Sequence, residues 1–472
     1  MHDYVIVGAG TAGCVLAARL SAAGASVALL ECGPPDRRPE VRVPAAFPRL
    51  FGTEYDWAYT TESQDGLGGR ALYWPRGRTL GGSSAVNAQI WTRGHPADYD
   101  DWDVPGWSHK ELLPCFERAE KGAVRLEALR SPHPSTADFL RACARDGMLP
   151  LAEGEGCGPV RVTQHRGRRW SSADAYLRPA LGRPGLTLLT GADVRRVVLR
   201  EGRASGVEYL TADGGLRYAE ARREVVVAAG AVGSPVLLMR SGIGDPDGLE
   251  DVAVPLPEVG RGLLDHLMVP LVFGPGERAE RIRPSSNNAE ALAFLRSSAG
   301  AEAPDLEFLW MPVPFLDHGR AAPGTGCTLA VVLLRPGSAG RITLEGGEPR
   351  IDPGYLADPA DLRVLLSGVR RAHRLLDDPD LAAWAGEPLT PAARSASESA
   401  VRLGAETLYH PVGTCRIGPV VDERLRVHGV RGLRVADVSV CPAIPRAHTQ
   451  AAAVVVGERA VDLILEESLE DP

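Results

Sequence analysis

The chain opens on an apolar run, Tyr4–Val7, that breaks at Gly8 and resumes with helical spacing from Thr11 to Leu20. A second apolar run, Ser26–Leu30, closes on Glu31. Strand, glycine turn, helix, strand is the order of the first unit of a dinucleotide-binding fold. Farther along, Glu224–Ala228 is a continuous apolar core closed by Gly230 and Gly233, with a helical stretch to Met239. Such a run suits a strand covered on both faces of a parallel sheet. Asp305–Met311 and Cys327–Leu334 alternate instead, which predicts antiparallel strands. The C-terminal part returns to the first pattern, with a strand at Leu433–Ala436 and a helix from Gln450 to Ile464. The simplest layout is an α/β dinucleotide domain built from 1–120, 185–265 and 420–472. It is interrupted by an α+β substrate domain with an antiparallel sheet, built from 121–184 and 266–419. The acidic and aromatic stretch Asp98–Trp107 reads as a surface connection.

Length agrees with this division, because 472 residues exceed the ~250–300 that one core supports. Lys and Arg number 52 against 60 Asp and Glu, a net charge of −8, so no general basic surface invites nucleic acid or anionic lipid. Eight cysteines without a CxxC pair make neither a disulfide scaffold nor a zinc site, and no metal is expected. No apolar run reaches the ~18–20 residues of a membrane span, and no basic leader precedes the first strand. These features predict a soluble, cytoplasmic protein and leave its oligomeric state open.

Each glycine of Gly8-Ala9-Gly10-Thr11-Ala12-Gly13 has a task. The first allows the tight turn, the second admits a pyrophosphate to the backbone, and the third lets helix and strand pack closely. The helix N-terminus then faces the negative charge. Glu31, placed to accept ribose hydroxyls, would repel a 2′-phosphate and argues against NADP.

Several distant segments extend this picture. Pro75–Asn87 reads PRGRTLGGSSAVN, Glu224–Gly244 reads EVVVAAGAVGSPVLLMRSGIG, Val259–His266 reads VGRGLLDH, Tyr409–Gly418 reads YHPVGTCRIG, and Val435–Ser439 reads VADVS. With them, nearly the whole chain resembles the glucose–methanol–choline (GMC) flavin oxidoreductases. The resemblance implies a Rossmann-like FAD-binding domain and oxidation of an alcohol CH–OH group. It places Gly82, Ser83, Asn87, Ala88 and Arg78 by the pyrophosphate and flavin, with Trp91 nearby. It also assigns Val194 to the adenine side, and Gly230, Ala436 and Asp437 to the flavin phosphates and ribityl chain. Some relatives tether the flavin through a histidine just before the Asn; Val86 stands there, which implies non-covalent FAD.

The resemblance selects a catalytic pair, His410 in YHPVGT and His448, eleven residues after the Asp of VADVS. One imidazole would take the hydroxyl proton as hydride leaves for flavin N5, and the other would hold the oxygen. Two facing imidazoles depress each other's protonation. The implied partners are a small alcohol and either oxygen or an external electron acceptor. A hydroxynitrile-lyase-type, non-redox flavoprotein on the same fold is the alternative. Of the remaining histidines, His266 reads as a structural or flavin-side hydrogen bonder, and His95, His109, His133 and His165 as solvated. Cys415 and Cys441 read as buried filler. Leu306, Phe308 and Trp310 share one strand face, either as a pocket floor with Tyr409 or as substrate-domain core. Leu267 replaces a usual Pro, which predicts a looser loop.

Overall fold

In the computed structural model, which describes residues 1–320 and 324–470, two seven-stranded sheets organise the chain. In the first, His2–Val7 lies parallel between Val27–Glu31 and Leu216–Val227. Leu186–Thr190 extends the parallel part on one side and Leu433–Val435 on the other. Val5, Ile6, Val27 and Val225 are fully buried, as their unbroken apolar runs require. Leu216–Val227 is longer than its apolar core suggests. Its first half alternates charged and small residues because it pairs antiparallel with Arg203–Leu210 and is covered less completely.

Helices Thr11–Ala22 and Gln450–Glu470 pack on each other above this sheet. Their approach depends on Gly457, where a Cβ would meet Val15 Cβ at 3.0 Å. Buried Glu458 ties the pair together by accepting from Arg19 Nη2 at 2.8 Å, Arg118 Nε at 2.7 Å and the Tyr176 hydroxyl at 2.9 Å.

The second sheet runs antiparallel in the order Ala385–Pro388, Leu267–Pro275, Cys327–Leu333, Leu306–Met311, Ala291–Leu295 and Gly156–Pro159. Helix Pro359–Leu376 packs on one face, close enough that a Cβ on Gly368 would meet Val331 Cγ1 at 2.6 Å. Leu306, Phe308 and Trp310 belong to that covered side, and Trp310 stacks on Phe139 at 5.5 Å. Residues one position out of phase, Leu309 and Met311, point to the opposite side, as strand alternation demands.

Three sequence expectations need correction. Asp98–Trp107 is no surface connection: Asp98, Tyr99 and Trp107 are buried, with Asp98 accepting from Arg446 Nη1 at 2.6 Å and Trp107 Nε1 donating to the Glu423 carbonyl at 2.8 Å. His133 is buried rather than solvated, its ring packed edge-on against Trp384. Leu267 opens a strand and pairs with Thr407, so replacing Pro adds a ladder position instead of loosening the loop. Among the described residues, no helix is long and apolar enough to cross a membrane.

The C-terminal helix is held to the parallel sheet by Arg434, whose Nε and Nη2 grip Glu224 at 2.7 and 2.9 Å and which also bonds Glu467. The guanidinium is buried while both carboxylates stay partly wet. Arg434→Met therefore leaves half-solvated rather than dry charges, and should cost about 2 kcal/mol. Urea unfolding checks this: the midpoint falls at unchanged slope, and a shift worth under about 0.5 kcal/mol contradicts it.

Candidate active site

One cavity of about 570 Å³ runs from the first glycine turn to the face of the antiparallel sheet, within the ~300–1,000 Å³ typical of ligand sites. At its first end, Gly8 has φ +99° and a Cβ there would sit 2.6 Å from the Ala228 carbonyl oxygen. Gly10 caps helix Thr11–Ala22 without any side chain, which leaves the first-turn amides aimed at the cavity. Glu31 closes the turn, its Oε2 accepting from Ala9 N and its Oε1 from Gly33 N, both at 2.9 Å. Burial pushes its carboxyl up to about 7 against the pull of those two amides. Asp437 does the equivalent work across the sheet, accepting from Gly230 N at 2.8 Å and from the Ser234 hydroxyl.

At the other end, His410 and His448 face each other with ring centroids 4.9 Å apart and planes at 81°. They come from separate loops, one after strand Glu406–Thr407 and one just before helix Gln450–Glu470. Both line the cavity. The His410 backbone N–H donates to Asp265 Oδ1 at 2.7 Å, and Asp265 Oδ2 also accepts from the Thr407 and Tyr355 hydroxyls. Burial, beside His448, His266 and Arg76, drives the His410 imidazole well below the ordinary histidine pKa, so the ring is neutral. His448 Nε2 lies 3.0 Å from Glu307 Oε1, while Glu307 Oε2 is buried without a partner. Arg76 bridges the two ends, donating to the Tyr409 carbonyl and to Ser83 Oγ.

Of the residues singled out from sequence, Gly8, Gly10, Thr11, Ala12, Glu31, Gly82, Ser83, Asn87, Ala88, Val194, Gly230, Asp437, Tyr409, His410 and His448 border this cavity. Six do not. Gly13 lies behind the turn, where a Cβ would meet the Gly8 carbonyl oxygen at 1.9 Å. Arg78 turns toward Cys32 Sγ and lies over Trp57, 5.2 Å from its ring. Trp91 is buried with Nε1 on Glu120 at 2.8 Å. Ala436 is spent on the sheet, its N donating to the Val227 carbonyl. Phe308 and Trp310 belong to the core, and the pocket floor is the other strand face, Leu309 and Met311 with Met268. Cys415 and Cys441 are fully buried, as expected of filler.

Sequence reasoning missed Glu307, although one acid within LEFLWM is a legible signal for a buried partner. It also missed Gln450, whose Oε1 accepts from Asn87 Nδ2 at 2.7 Å, and Arg169, which donates to Asn87 Oδ1 at 2.7 Å. Nothing local marks those two, since their partner lies far away in sequence.

Family models described as GMC oxidoreductase match residues 2–268 and 336–457. The chain belongs to the GMC oxidoreductase family. A GMC-type oxidoreductase of Mycobacterium tuberculosis is 42% identical, covering 98% of this chain and 99% of the relative. The alcohol dehydrogenase [acceptor] of Pseudomonas putida is 35% identical over 98% of this chain and 96% of its own. Among solved structures, pyridoxine 4-oxidase from Mesorbium loti aligns with a TM-score of 0.92 at 32% identity, covering 98% of this chain and 99% of that one. The protein is thus an oxidoreductase of a family of FAD flavoproteins.

Its residues fit that cofactor. Gly10 and Gly230 line the cavity, and a Cβ at either would meet nothing nearer than 3.9 Å, so any side chain there would fill the cavity itself. Uncapped amides at Thr11 and the acid at Glu31 suit a pyrophosphate and a ribose. Glu31→Leu leaves two buried amides unpaired, at about 1–3 kcal/mol each. Fluorescence titration of the apoprotein with FAD should show affinity at least ~10-fold weaker; an unchanged Kd contradicts this role for Glu31.

Proposed function

We propose that the protein oxidises the CH–OH group of a small alcohol to a carbonyl. His410 takes the hydroxyl proton and His448 holds the oxygen. The observation that carries this reading is the facing pair of imidazoles on the wall of the dinucleotide cavity. A base must present a lone pair, and half-buried His410, kept neutral by its surroundings, has one. His448 is steadied from behind by Glu307, toward which Nε2 carries its hydrogen, and a second hydrogen on Nδ1 lets it donate to the substrate oxygen.

When bound, FAD supplies the hydride acceptor at flavin N5. The turn at Gly8–Ala12, Glu31, Ser83, Asn87 and Asp437 would hold it, without a covalent link because Val86 offers no nucleophile. The pocket side of Met268, Leu309, Met311 and Phe315 favours an alcohol with an apolar or aromatic body. Names such as alcohol dehydrogenase [acceptor] and pyridoxine 4-oxidase among the relatives support the reaction class. Oxygen or an external acceptor would collect the electrons. Eight unpaired cysteines support a reducing compartment such as the cytoplasm.

Anaerobic mixing of the holoenzyme with pyridoxine, choline, benzyl alcohol and 1-octanol tests the reaction. At least one should bleach the oxidised flavin band, and admission of air then separates oxidase from dehydrogenase behaviour. Turnover without bleaching would instead indicate the lyase-type chemistry. In His410→Ala the reduction rate should fall by ~10²–10⁴ with flavin content unchanged; an undiminished rate removes His410 as the base.

The pH profile has a definite sign. The competent base is the deprotonated ring, and a lowered pKa keeps it deprotonated to more acidic pH. Groups facing it are His448 with Glu307 behind, His266, Arg76 and Asp265. The acid limb of kcat/KM should therefore lie well to the acid side of the ordinary histidine value near 6.5, and a limb at or above that value contradicts the assignment.

A further inference from the structure

We propose that His266 is a positioning residue that fixes the tautomer of His410, so that the lone pair of His410 lies on Nε2 and faces the cavity. The inference rests on the reading of His410 as proton acceptor. It goes beyond it by naming the reacting nitrogen and the device that selects it.

His266 is fully buried and lies behind the cavity wall, at the end of the turn that leads into strand Leu267–Pro275. Both its ring nitrogens are engaged. Nε2 lies 3.1 Å from the Leu334 carbonyl oxygen and Nδ1 lies 3.0 Å from His410 Nδ1. A main-chain carbonyl only accepts, so His266 Nε2 carries the hydrogen. Burial, with His448 nearby, drives the His266 pKa down to about 3, so the ring is neutral and its Nδ1 is a bare acceptor. His410 Nδ1 must then be the donor. A neutral imidazole carries one hydrogen, so His410 Nε2 is left with the lone pair.

The anchor of this chain is rigid. Leu334 follows strand Cys327–Leu333, and its own N–H donates to the Asp305 carbonyl at 2.9 Å, which anchors the residue whose carbonyl meets His266. At the other end, Asp265 holds the His410 backbone at 2.7 Å. Turning the His410 ring over would set a C–H against His266 Nδ1 and leave a buried acceptor unpaired. Moving the His410 hydrogen to Nε2 would set two lone pairs against each other at 3.0 Å. Either change also offers the substrate hydroxyl a group that cannot take its proton. After proton transfer, His410 carries hydrogens on both nitrogens, and its Nδ1–H still has His266 as acceptor, so the ring stays paired in both states. His448 is held in the opposite sense: its Nε2 is spent on Glu307, leaving Nδ1 for the cavity.

Long-range ¹H–¹⁵N correlation spectra of the FAD holoenzyme labelled with [¹⁵N]histidine read the tautomer directly and need no substrate. Cross-peaks of His410 are those lost in His410→Ala. The expected wild-type pattern is a hydrogen-bearing Nδ1 and a bare Nε2. In His266→Leu the acceptor is gone, and the hydrogen should shift to Nε2 or average between the two nitrogens. In His266→Asn the amide oxygen falls near the lost Nδ1 and should restore the wild-type pattern, a rescue that filling space alone would not give. A hydrogen on Nε2 in the wild type, or an unchanged pattern in His266→Leu, overturns the inference. If neither variant folds, the wild-type spectrum decides. Full flavin reduction in His410→Ala would defeat the base assignment and leave this spectrum unaffected, so the two failures are distinguishable.

Discussion

His410 is gripped twice by one turn: Asp265 accepts its main-chain N–H and His266 meets its ring. The remainder of the site is arranged around that grip. Asp265 is buried, and desolvation pushes its carboxyl up to about 6 even with hydrogen bonds from the Thr407 and Tyr355 hydroxyls and the His410 N–H. Such a group is tolerated in an interior only when its acceptor capacity is filled, and filling it places Thr407, Tyr355 and His410 relative to one another. Tyr409, next to His410, has φ +68°, a conformation held by its N–H on Thr407 Oγ1 at 2.8 Å and by Arg76 on its carbonyl. Turn, loop and arginine make one hydrogen-bonded unit, and the imidazole is the part of it that faces the cavity.

Strand alternation supplies the second constraint. In Leu306–Met311 the even-numbered residues build the core under helix Pro359–Leu376, while the odd-numbered ones face the cavity side. That phase puts Glu307 behind His448 and Leu309 and Met311 on the pocket floor. A slip of one residue would exchange acid and floor for Phe308 and Trp310, so core packing on one face sets the register of chemistry on the other.

The fold was legible where local pattern and tertiary role agree. Tyr4–Val7 with its glycine turn and Glu224–Ala228 read correctly because a strand covered on both faces of a parallel sheet is apolar throughout; the two runs read as alternating are antiparallel strands as expected, yet both of their faces are buried. The long first half of Leu216–Val227 was not legible, since its charged residues hide a strand whose partner is supplied by an antiparallel neighbour. In the site, motif resemblance found the imidazole pair and the glycine turn. It overreached at Arg78, Trp91 and Ala436, which sit beside true cavity residues in sequence but point elsewhere in space. Phe308 and Trp310 fit both readings in the sequence because alternation reveals that two faces exist, not which one the helix covers. Glu307, Arg169 and Gln450 depend on contacts spanning the chain, which no local window contains.

The central claim is that two imidazoles from separate loops converge on the reactive edge of a flavin held by the glycine turn. A crystal structure of the FAD-loaded protein measures this most directly. The account predicts an isoalloxazine ring edge beside His410 and His448, pyrophosphate at the Thr11 amides, and no continuous density from ring to side chain. A ring bound away from both histidines, or two histidines separated in the loaded protein, would contradict it.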